Sequence, residues 1–164
     1  MFYEFRQNNS GGVFEHDEKR GIGHYVIVEA DDWNDANDKA ERIGIYFDGC
    51  DNGMDCPCCG DRWSPMWEGT KGDPVPSHYG QPLRDYKDTW GIIWKNDGVF
   101  IHYKNGNVDW VKKIQDPKAE GSCFDVTSKK SVVKKSPVKK AVKKPVKKAL
   151  KKAAKKSAKK ATKK

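Results

Sequence analysis

Four of the five cysteines lie in the short segment from Cys50 to Cys59. Cys56 and Cys59 form a Cys-x-x-Cys pair with proline after the first cysteine and glycine after the second, which is the pattern of a zinc-ribbon knuckle. A tight turn of this kind lets backbone N–H groups approach both thiolates, and Zn²⁺ in structural sites takes four ligands. We therefore predict a structural zinc site with four cysteine ligands. These ligands are Cys50, Cys56, Cys58 and Cys59.

We favour Cys50, Cys56 and Cys59 as ligands and add Cys58 as the fourth. A full zinc ribbon repeats the Cys-x-x-Cys pair, whereas this chain has the pair once. Cys58 is included on proximity alone, because adjacent cysteines rarely both bind one ion without strain. The other residues that could supply a ligand are Cys123, His78 and His102.

Two other interpretations of the cysteines stay open. The sequence from Cys56 to Cys59 also matches a glutaredoxin-type redox motif, in which a helix begins directly after the motif and activates the first thiolate. Gly60 and Pro65 argue against such a helix. The cysteines could also be free thiols that act as small apolar residues.

The remaining residues do not indicate catalysis. None of the four histidines lies in a catalytic motif, and the sequence has no phosphate-binding glycine loop and no evident nucleophile–base pair. The acidic residues near the cysteines do not have the spacing of an EF-hand. We predict a protein that is not an enzyme.

The elements that must position the cysteines are visible in the N-terminal half. Residues 2–6 and 24–30 have the composition of strands. Between the second strand and the cysteines, Trp33, Ala36, Ala40 and Ile43 recur at helical spacing, with Asp32 suited to cap the helix and glycine 44 suited to end it.

The residue pattern of the C-terminal half predicts three antiparallel strands. Trp90, Ile92 and Trp94 alternate on one face, and residues 99–104 and 107–112 flank an Asn105-Gly106 hairpin turn. Strands on either side of one helix indicate an α+β domain, with one amphipathic helix on a small, mostly antiparallel sheet. We divide the chain into a folded body (1–116) containing a cysteine-rich loop (48–69), a linker (117–127) and a disordered tail (128–164).

The tail is a polycation. Its 37 residues contain 18 lysines, no acidic residue and no aromatic residue. Residues 1–127 carry the other 14 basic residues and all 23 acidic ones, so the chain's formal charge of +9 joins a body of about −9 to a tail of +18. Such asymmetry is typical of an interaction tail, and the absence of Trp, Tyr and Phe from this segment predicts disorder when it is free.

Lysine pairs along the tail are suited to neutralise phosphates without reading base sequence, because the tail lacks arginine, asparagine and glutamine for direct readout. A solubilising tail and a tail that binds anionic membranes are the alternatives. The predicted nucleic-acid-binding residues are Lys134, Lys135, Lys139, Lys140, Lys143, Lys144, Lys147, Lys148, Lys151, Lys152, Lys155, Lys156, Lys159, Lys160, Lys163 and Lys164.

The body resembles a known family. Residues 2–12 (FYEFRQNNSGG), 46–50 (YFDGC) and 55–63 (DCPCCGDRW) resemble a family of small uncharacterised proteins encoded by tailed bacteriophages, and the Ile101-His102-Tyr103 strand with its Asn105-Gly106 turn fits the same family. The resemblance covers most of residues 1–113 and implies a phage gene without implying an activity. The tail is similar in composition to the tails of linker histones and bacterial histone-like proteins.

Together these features predict a non-enzymatic, nucleic-acid-associated phage protein that binds DNA or another polyanion without sequence preference. The alternatives are an adaptor whose body binds a host or virion protein, and a thiol-disulfide oxidoreductase. The sequence has no apolar stretch long enough to span a membrane and no signal-peptide pattern at its N-terminus. We expect the cytoplasm or nucleoid of an infected bacterium, or the virion, as its location.

Overall fold

The computed structural model of the protein describes residues 1–86, 98–113, 124–127 and 130–131. The strand predicted through Trp90, Ile92 and Trp94 lies outside these residues, as do Cys123 and residues 132–164. The elements in chain order are β1 (Phe2–Arg6), a 3-10 turn (Ser10–Gly12), β2 (Tyr25–Glu29), α1 (Trp33–Ile43), β3 (Ser77–His78), β4 (Gln81–Pro82), β5 (Gly98–His102), β6 (Val108–Lys112) and β7 (Lys130–Ser131).

The main sheet has the strand order β1-β2-β5-β6-β7. Its pairings are antiparallel except for β2 with β5, which run parallel. Parallel neighbours require a long connection, and α1 lies within the connection between these two strands. β3 and β4 form a separate antiparallel hairpin. The predicted α+β class with a mostly antiparallel sheet is confirmed.

The helix begins and ends where its sequence predicts. Asp32 caps α1 by accepting a hydrogen bond from the Asp35 N–H at 2.8 Å, and Gly44 ends it in a left-handed conformation with φ of 102°. Ala36 and Ala40 are buried, and Trp33 and Ile43 pack against the same core. Among the described residues, no helix has the length and apolar character needed to cross a membrane.

Apolar side chains cover both faces of the sheet. One cluster joins Tyr3, Phe5, Val26 and Val28 to α1, and a second cluster on other residues of the sheet includes Ile27, Val99, Ile101 and Val111. A strand covered on both faces has no solvent-facing positions for polar residues. The coverage of both faces therefore explains why residues 25–29 and 98–102 are nearly continuous apolar runs.

The segment that we predicted to be a linker contributes to the core. Phe124 is 2% exposed and lies in the second cluster, and its backbone forms a bridge with Lys113. A buried aromatic ring supplies enough apolar contact to hold this short segment on the sheet. Lys130 and Ser131 of the predicted disordered tail are also paired, because β7 lies antiparallel to β6 with Lys130 opposite Trp110.

Candidate functional site

Three of the four predicted ligands meet in the cysteine-rich loop. The Sγ atoms of Cys56, Cys58 and Cys59 all lie within 4.8 Å of one another, with 2.7 Å between Cys56 and Cys58 and 3.6 Å between Cys58 and Cys59. The backbone N–H groups of Cys59 and Gly60 both donate to the Cys56 carbonyl, at 3.0 and 3.1 Å, and Gly60 has φ of 82°. The knuckle turn expected from the sequence therefore exists and could hold a metal ion.

Cys50 lies beside this group rather than in it. Its thiol contacts the carbonyl oxygen of Cys56 at 3.6 Å, and its backbone N–H donates to the carboxylate of Asp61 at 2.7 Å. Within the described part of the chain, Cys56, Cys58 and Cys59 are the one set of side chains that meets the distance requirement for a shared metal ion.

The thiols differ in acidity. Hydrogen bonding from Cys58 lowers the pKa of Cys56, and the same bond raises the pKa of Cys58 to about 11, because the donor must keep its proton. Desolvation raises the pKa of Cys50 to about 11, with a further contribution from the Asp61 carboxylate. Cys56 therefore ionises more readily than Cys50 or Cys58, and metal binding at those two positions would release protons.

The segment after the knuckle is not a helix. Residues 60–66 contain no helical turn, and Gly60 adopts a left-handed conformation directly after Cys59. A glutaredoxin-type site uses the N-terminus of a following helix to activate its thiolate, and that element is missing at this position.

A buried ion pair holds the loop from inside. The Asp55 carboxylate accepts hydrogen bonds from the Tyr46 hydroxyl at 2.9 Å and from the Arg62 backbone N–H at 2.7 Å, and it lies 3.6 Å from Arg62 Nε. A Cβ atom on Gly49 would lie 2.1 Å from this carboxylate, so the close approach requires glycine. These contacts order the loop through protein groups.

Arg62 extends the same network to the N-terminal turn. Its guanidinium donates to the carbonyl oxygens of Val13 at 2.6 Å and Ser10 at 2.9 Å, and to the side chain of Gln7 at 3.3 Å. Gln7 is itself buried and bonds to the backbone of residues 15 and 23. A single arginine therefore links the cysteine loop to three points of the preceding chain.

The knuckle backbone also docks on the N-terminal turn directly. The Asn8 side chain donates to the carbonyl of Cys59 at 2.7 Å, and the Cys56 N–H donates to the Ser10 hydroxyl at 3.1 Å. The motif containing Asn8 and Ser10 and the motif containing the cysteines, which are far apart in sequence, thus form one structural unit.

The two tryptophans that follow the cysteines differ in solvent exposure. Trp63 is 1% exposed and belongs to the core, whereas Trp67 is 73% exposed. Asn37 on α1 fixes the intervening chain by two hydrogen bonds with the backbone of Met66.

The histidines considered as metal ligands lie elsewhere. His102 is buried and its Nε2 bonds to the Gly21 carbonyl at 2.8 Å, and burial lowers its pKa. His78 is also buried and pairs through Nδ1 with the Glu4 carboxylate. Neither joins the cysteine group.

An aromatic cluster around His78 was missed by sequence reasoning. The rings of Tyr25, Tyr79 and Tyr86 lie 4.3, 4.4 and 4.6 Å from the His78 ring, measured between centroids. Its acidic partner Glu4 is 74 residues away in the chain, so no local spacing connects them.

The predicted nucleic-acid-binding lysines, Lys134 to Lys164, lie outside the described residues. The described part of the tail is β7, which fixes its start at the β6 edge of the sheet.

Comparison with known proteins gives one match. No curated protein and no solved structure matches the chain. The family described as Domain of unknown function (DUF7296) matches residues 1–117, which include the whole cysteine loop and the strands through β6. The match spans well over half of the sequence and stops before the lysine-rich tail. The chain therefore belongs to the DUF7296 family.

Proposed function

We propose that the protein is a non-enzymatic nucleic-acid-binding protein that holds duplex DNA through its C-terminal tail, without sequence preference. The observation that carries the proposal is the charge of that tail, which has 18 lysines and no acidic residue in 37 positions. Each lysine that neutralises a phosphate releases condensed counterions, which favours binding to any polyanion of high charge density.

The distribution of charge assigns binding to the tail rather than to the body. Residues 1–127 carry 23 acidic and 14 basic side chains, so the body as a whole repels phosphates. Exposed carboxylates within about 10 Å of a bound duplex would oppose binding at physiological salt. Lys130 and Ser131 pair with β6, and eight of the nine lysine pairs follow this strand in the sequence.

The body carries a proposed structural zinc site. Cys56, Cys58 and Cys59 offer three sulfur ligands, and Cys50, whose thiol contacts the knuckle backbone, is the proposed fourth. Soft thiolate ligands favour Zn²⁺ over the hard cations Mg²⁺ and Ca²⁺. With four protein ligands the ion has no open position for water, so its role would be to stiffen the knuckle.

A phage origin is part of the same proposal, supported by the resemblance of residues 2–12 and 55–63. The proposed location is accordingly the nucleoid of an infected bacterium.

The tail is tested by measuring duplex affinity by fluorescence anisotropy at several salt concentrations. The full chain is compared with a chain that ends at Ser131, which keeps β7, and with a chain in which the residues of 132–164 are shuffled. We expect the truncated chain to lose binding and the shuffled chain to retain it, with affinity that falls steeply with salt. Equal duplex affinity of the full and truncated chains at physiological salt would overturn the proposal.

The zinc site is tested by native mass spectrometry of the purified full chain. We expect one zinc ion per chain, and its loss in Cys56→Ser and Cys59→Ser. The Cys50→Ser variant distinguishes a four-cysteine site from a three-cysteine site. If Cys50 is a ligand, this variant should bind zinc clearly more weakly than the wild-type chain, and if it is not, zinc binding should be unchanged. An unmetallated wild-type chain after purification with added zinc would contradict the assignment.

A further inference from the structure

Tyr79 occupies a position that its side chain does not favour. It lies at the tip of the β3–β4 hairpin with φ of 51°, and Gly80 beside it has φ of 74°. A two-residue turn with positive φ at both positions normally carries asparagine, aspartate or glycine. A bulky residue in the left-handed region is uncommon, and here 56% of Tyr79 remains exposed. Burial of its ring therefore does not account for a tyrosine at this position.

The Glu4 carboxylate fixes this hairpin tip on the sheet. One oxygen pairs with Nδ1 of His78, which is 1% exposed, and the other accepts a hydrogen bond from the Tyr79 backbone N–H at 3.1 Å. Since Glu4 belongs to β1, an edge strand of the main sheet, the backbone of the strained residue is attached to that sheet. The backbone that carries the exposed Tyr79 ring is thus held in place, which lowers the entropy lost when a ligand packs on the ring.

The surroundings of the ring combine aromatic surface with the half-exposed guanidinium of Arg6, whose Nε lies 3.9 Å from the less exposed Glu4 carboxylate. The guanidinium carbon of Arg6 lies 4.6 Å from the Tyr79 ring centroid. Tyr86 has its ring plane within 21° of that of Tyr79, with 6.5 Å between the centroids. An exposed aromatic ring beside an arginine is the combination that binds a base by stacking and its phosphate by charge.

The chain that leads to the tail packs on the same cluster. The Phe124 ring lies 5.4 Å from His78 and 5.6 Å from Tyr86 between centroids. In the sequence, the first lysine of the tail follows Phe124 by five residues, and five residues of extended chain span at most about 18 Å. One strand of nucleic acid could therefore contact both the start of the tail and the Tyr79 ring.

We propose that Tyr79 and Arg6 form a stacking site for an unpaired nucleobase, so that the body adds a preference for single-stranded nucleic acid to the binding supplied by the tail. This inference rests on the proposed function. The tail itself has no aromatic side chain on which a base can stack, and the body supplies that missing contact.

The test compares two single-stranded ligands with the same number of phosphates, a short thymidine oligomer and an abasic oligomer of equal length. The full chain should bind the thymidine oligomer about tenfold more tightly, as expected for one stacked base. Tyr79→Phe should keep this ratio, and Tyr79→Ala should reduce it nearly to one. Trp67→Ala is the matched control, because Trp67 is another exposed aromatic residue of the body and should leave the ratio unchanged.

Tyr79→Asn separates binding from folding, because asparagine tolerates the left-handed conformation better than tyrosine. We expect this variant to melt at the wild-type temperature or above it and yet to lose the preference for bases. The inference would be overturned if the wild-type chain bound the thymidine and abasic oligomers equally well. It would also be overturned if both Tyr79→Ala and Tyr79→Asn kept the wild-type affinity ratio, or if substitution of Tyr79 weakened binding of a protein partner and left the affinity ratio unchanged. Binding of duplex DNA by the tail is tested separately, by the loss of duplex affinity in the chain that ends at Ser131.

Discussion

Arg62 Nε lies 3.6 Å from Asp55 Oδ1, and the two side chains are only 11% and 0% exposed. Asp55 directly precedes the first cysteine of the knuckle and Arg62 follows the last one by three residues. The pair therefore closes the base of the knuckle. Asp55 also accepts hydrogen bonds from Tyr46 and from the Arg62 backbone, and the Arg62 guanidinium donates to the N-terminal turn. Burial of a charge is tolerated only with such compensation.

Removing the charge of Asp55 should strongly destabilise the body. Asp55→Asn leaves the Arg62 guanidinium buried without its counter-charge, and loss of one member of a buried pair costs about 3–5 kcal/mol. The measurement is the free energy of unfolding in urea. Asp85→Asn is the control, since Asp85 pairs with Arg84 on the surface, where both side chains are more than 60% exposed. That variant should change stability by less than about 1 kcal/mol. Equal losses in the two variants would contradict the role of the buried pair.

Metal removal should loosen the knuckle without unfolding the domain. Asp55, Arg62, Asn8 and Ser10 bind the loop through protein groups, so its ordering does not depend on zinc alone. After chelation we expect a lower melting temperature and a far-ultraviolet circular dichroism spectrum that is nearly unchanged. A spectrum of an unfolded chain after chelation would show that metal binding supplies the folding energy, as it does in isolated zinc fingers.

The cysteines should react with an alkylating agent in a definite order. In the metal-free protein near neutral pH, Cys56 should react first, because hydrogen bonding from Cys58 lowers its pKa. Cys50 and Cys58 should react slowly, since their pKa is raised to about 11 and few of their thiols are ionised. Peptide mass spectrometry after a short pulse of iodoacetamide gives the order.

Added zinc provides the matched condition for this experiment. Zinc should protect Cys56, Cys58 and Cys59 together, and with them Cys50 as the proposed fourth ligand, because one ion would bind all four sulfur atoms. Protection of Cys56 alone would contradict a shared site.

His102 should contribute to acid destabilisation. Burial lowers its pKa in the folded state, so the unfolded chain, with the ordinary histidine pKa of about 6.5, binds protons more readily. The stability associated with neutral His102 is complete above about pH 6.5 and is lost as the pH falls from there toward the depressed folded-state pKa. His102→Gln can keep a donor for the Gly21 carbonyl without a titratable ring.

The measurement for His102 is the free energy of unfolding at about pH 7.5 and about pH 5.5. The loss between these values should be smaller in His102→Gln than in the wild-type protein, whatever the stability of each at the higher pH. Equal losses in the two proteins would show that His102 does not titrate in this range.

Local sequence was sufficient for the elements whose determinants lie within a few residues of one another. The cap at Asp32, the stop at Gly44 and the apolar spacing between them placed α1 correctly. Asn105-Gly106 placed the β5–β6 hairpin in the same way, with Gly106 at φ of 82°. The knuckle turn at Gly60 was likewise readable, because a Cys-x-x-Cys pair followed by glycine fixes a short turn through its own backbone hydrogen bonds.

Pairings across the chain were not readable. The hydrogen bonds from Asn8 to Cys59 and from Arg62 to Val13 join segments about fifty residues apart. No pattern within either segment indicates which other segment it contacts. The burial of Phe124 was missed for a similar reason, since a lone aromatic residue between polar neighbours gives no periodic signal.

The sequence by itself determined the charge of the tail, the α+β class and the proximity of three cysteines, because composition and short-range spacing control those properties. Only the tertiary structure decided that Asp55 and Arg62 order the cysteine loop, that Cys50 lies beside the sulfur cluster, and that Glu4 holds Tyr79 exposed at a hairpin tip. These three relationships depend on which side chains come into contact in the folded protein. The packing of the whole core decides those contacts, and no single segment does.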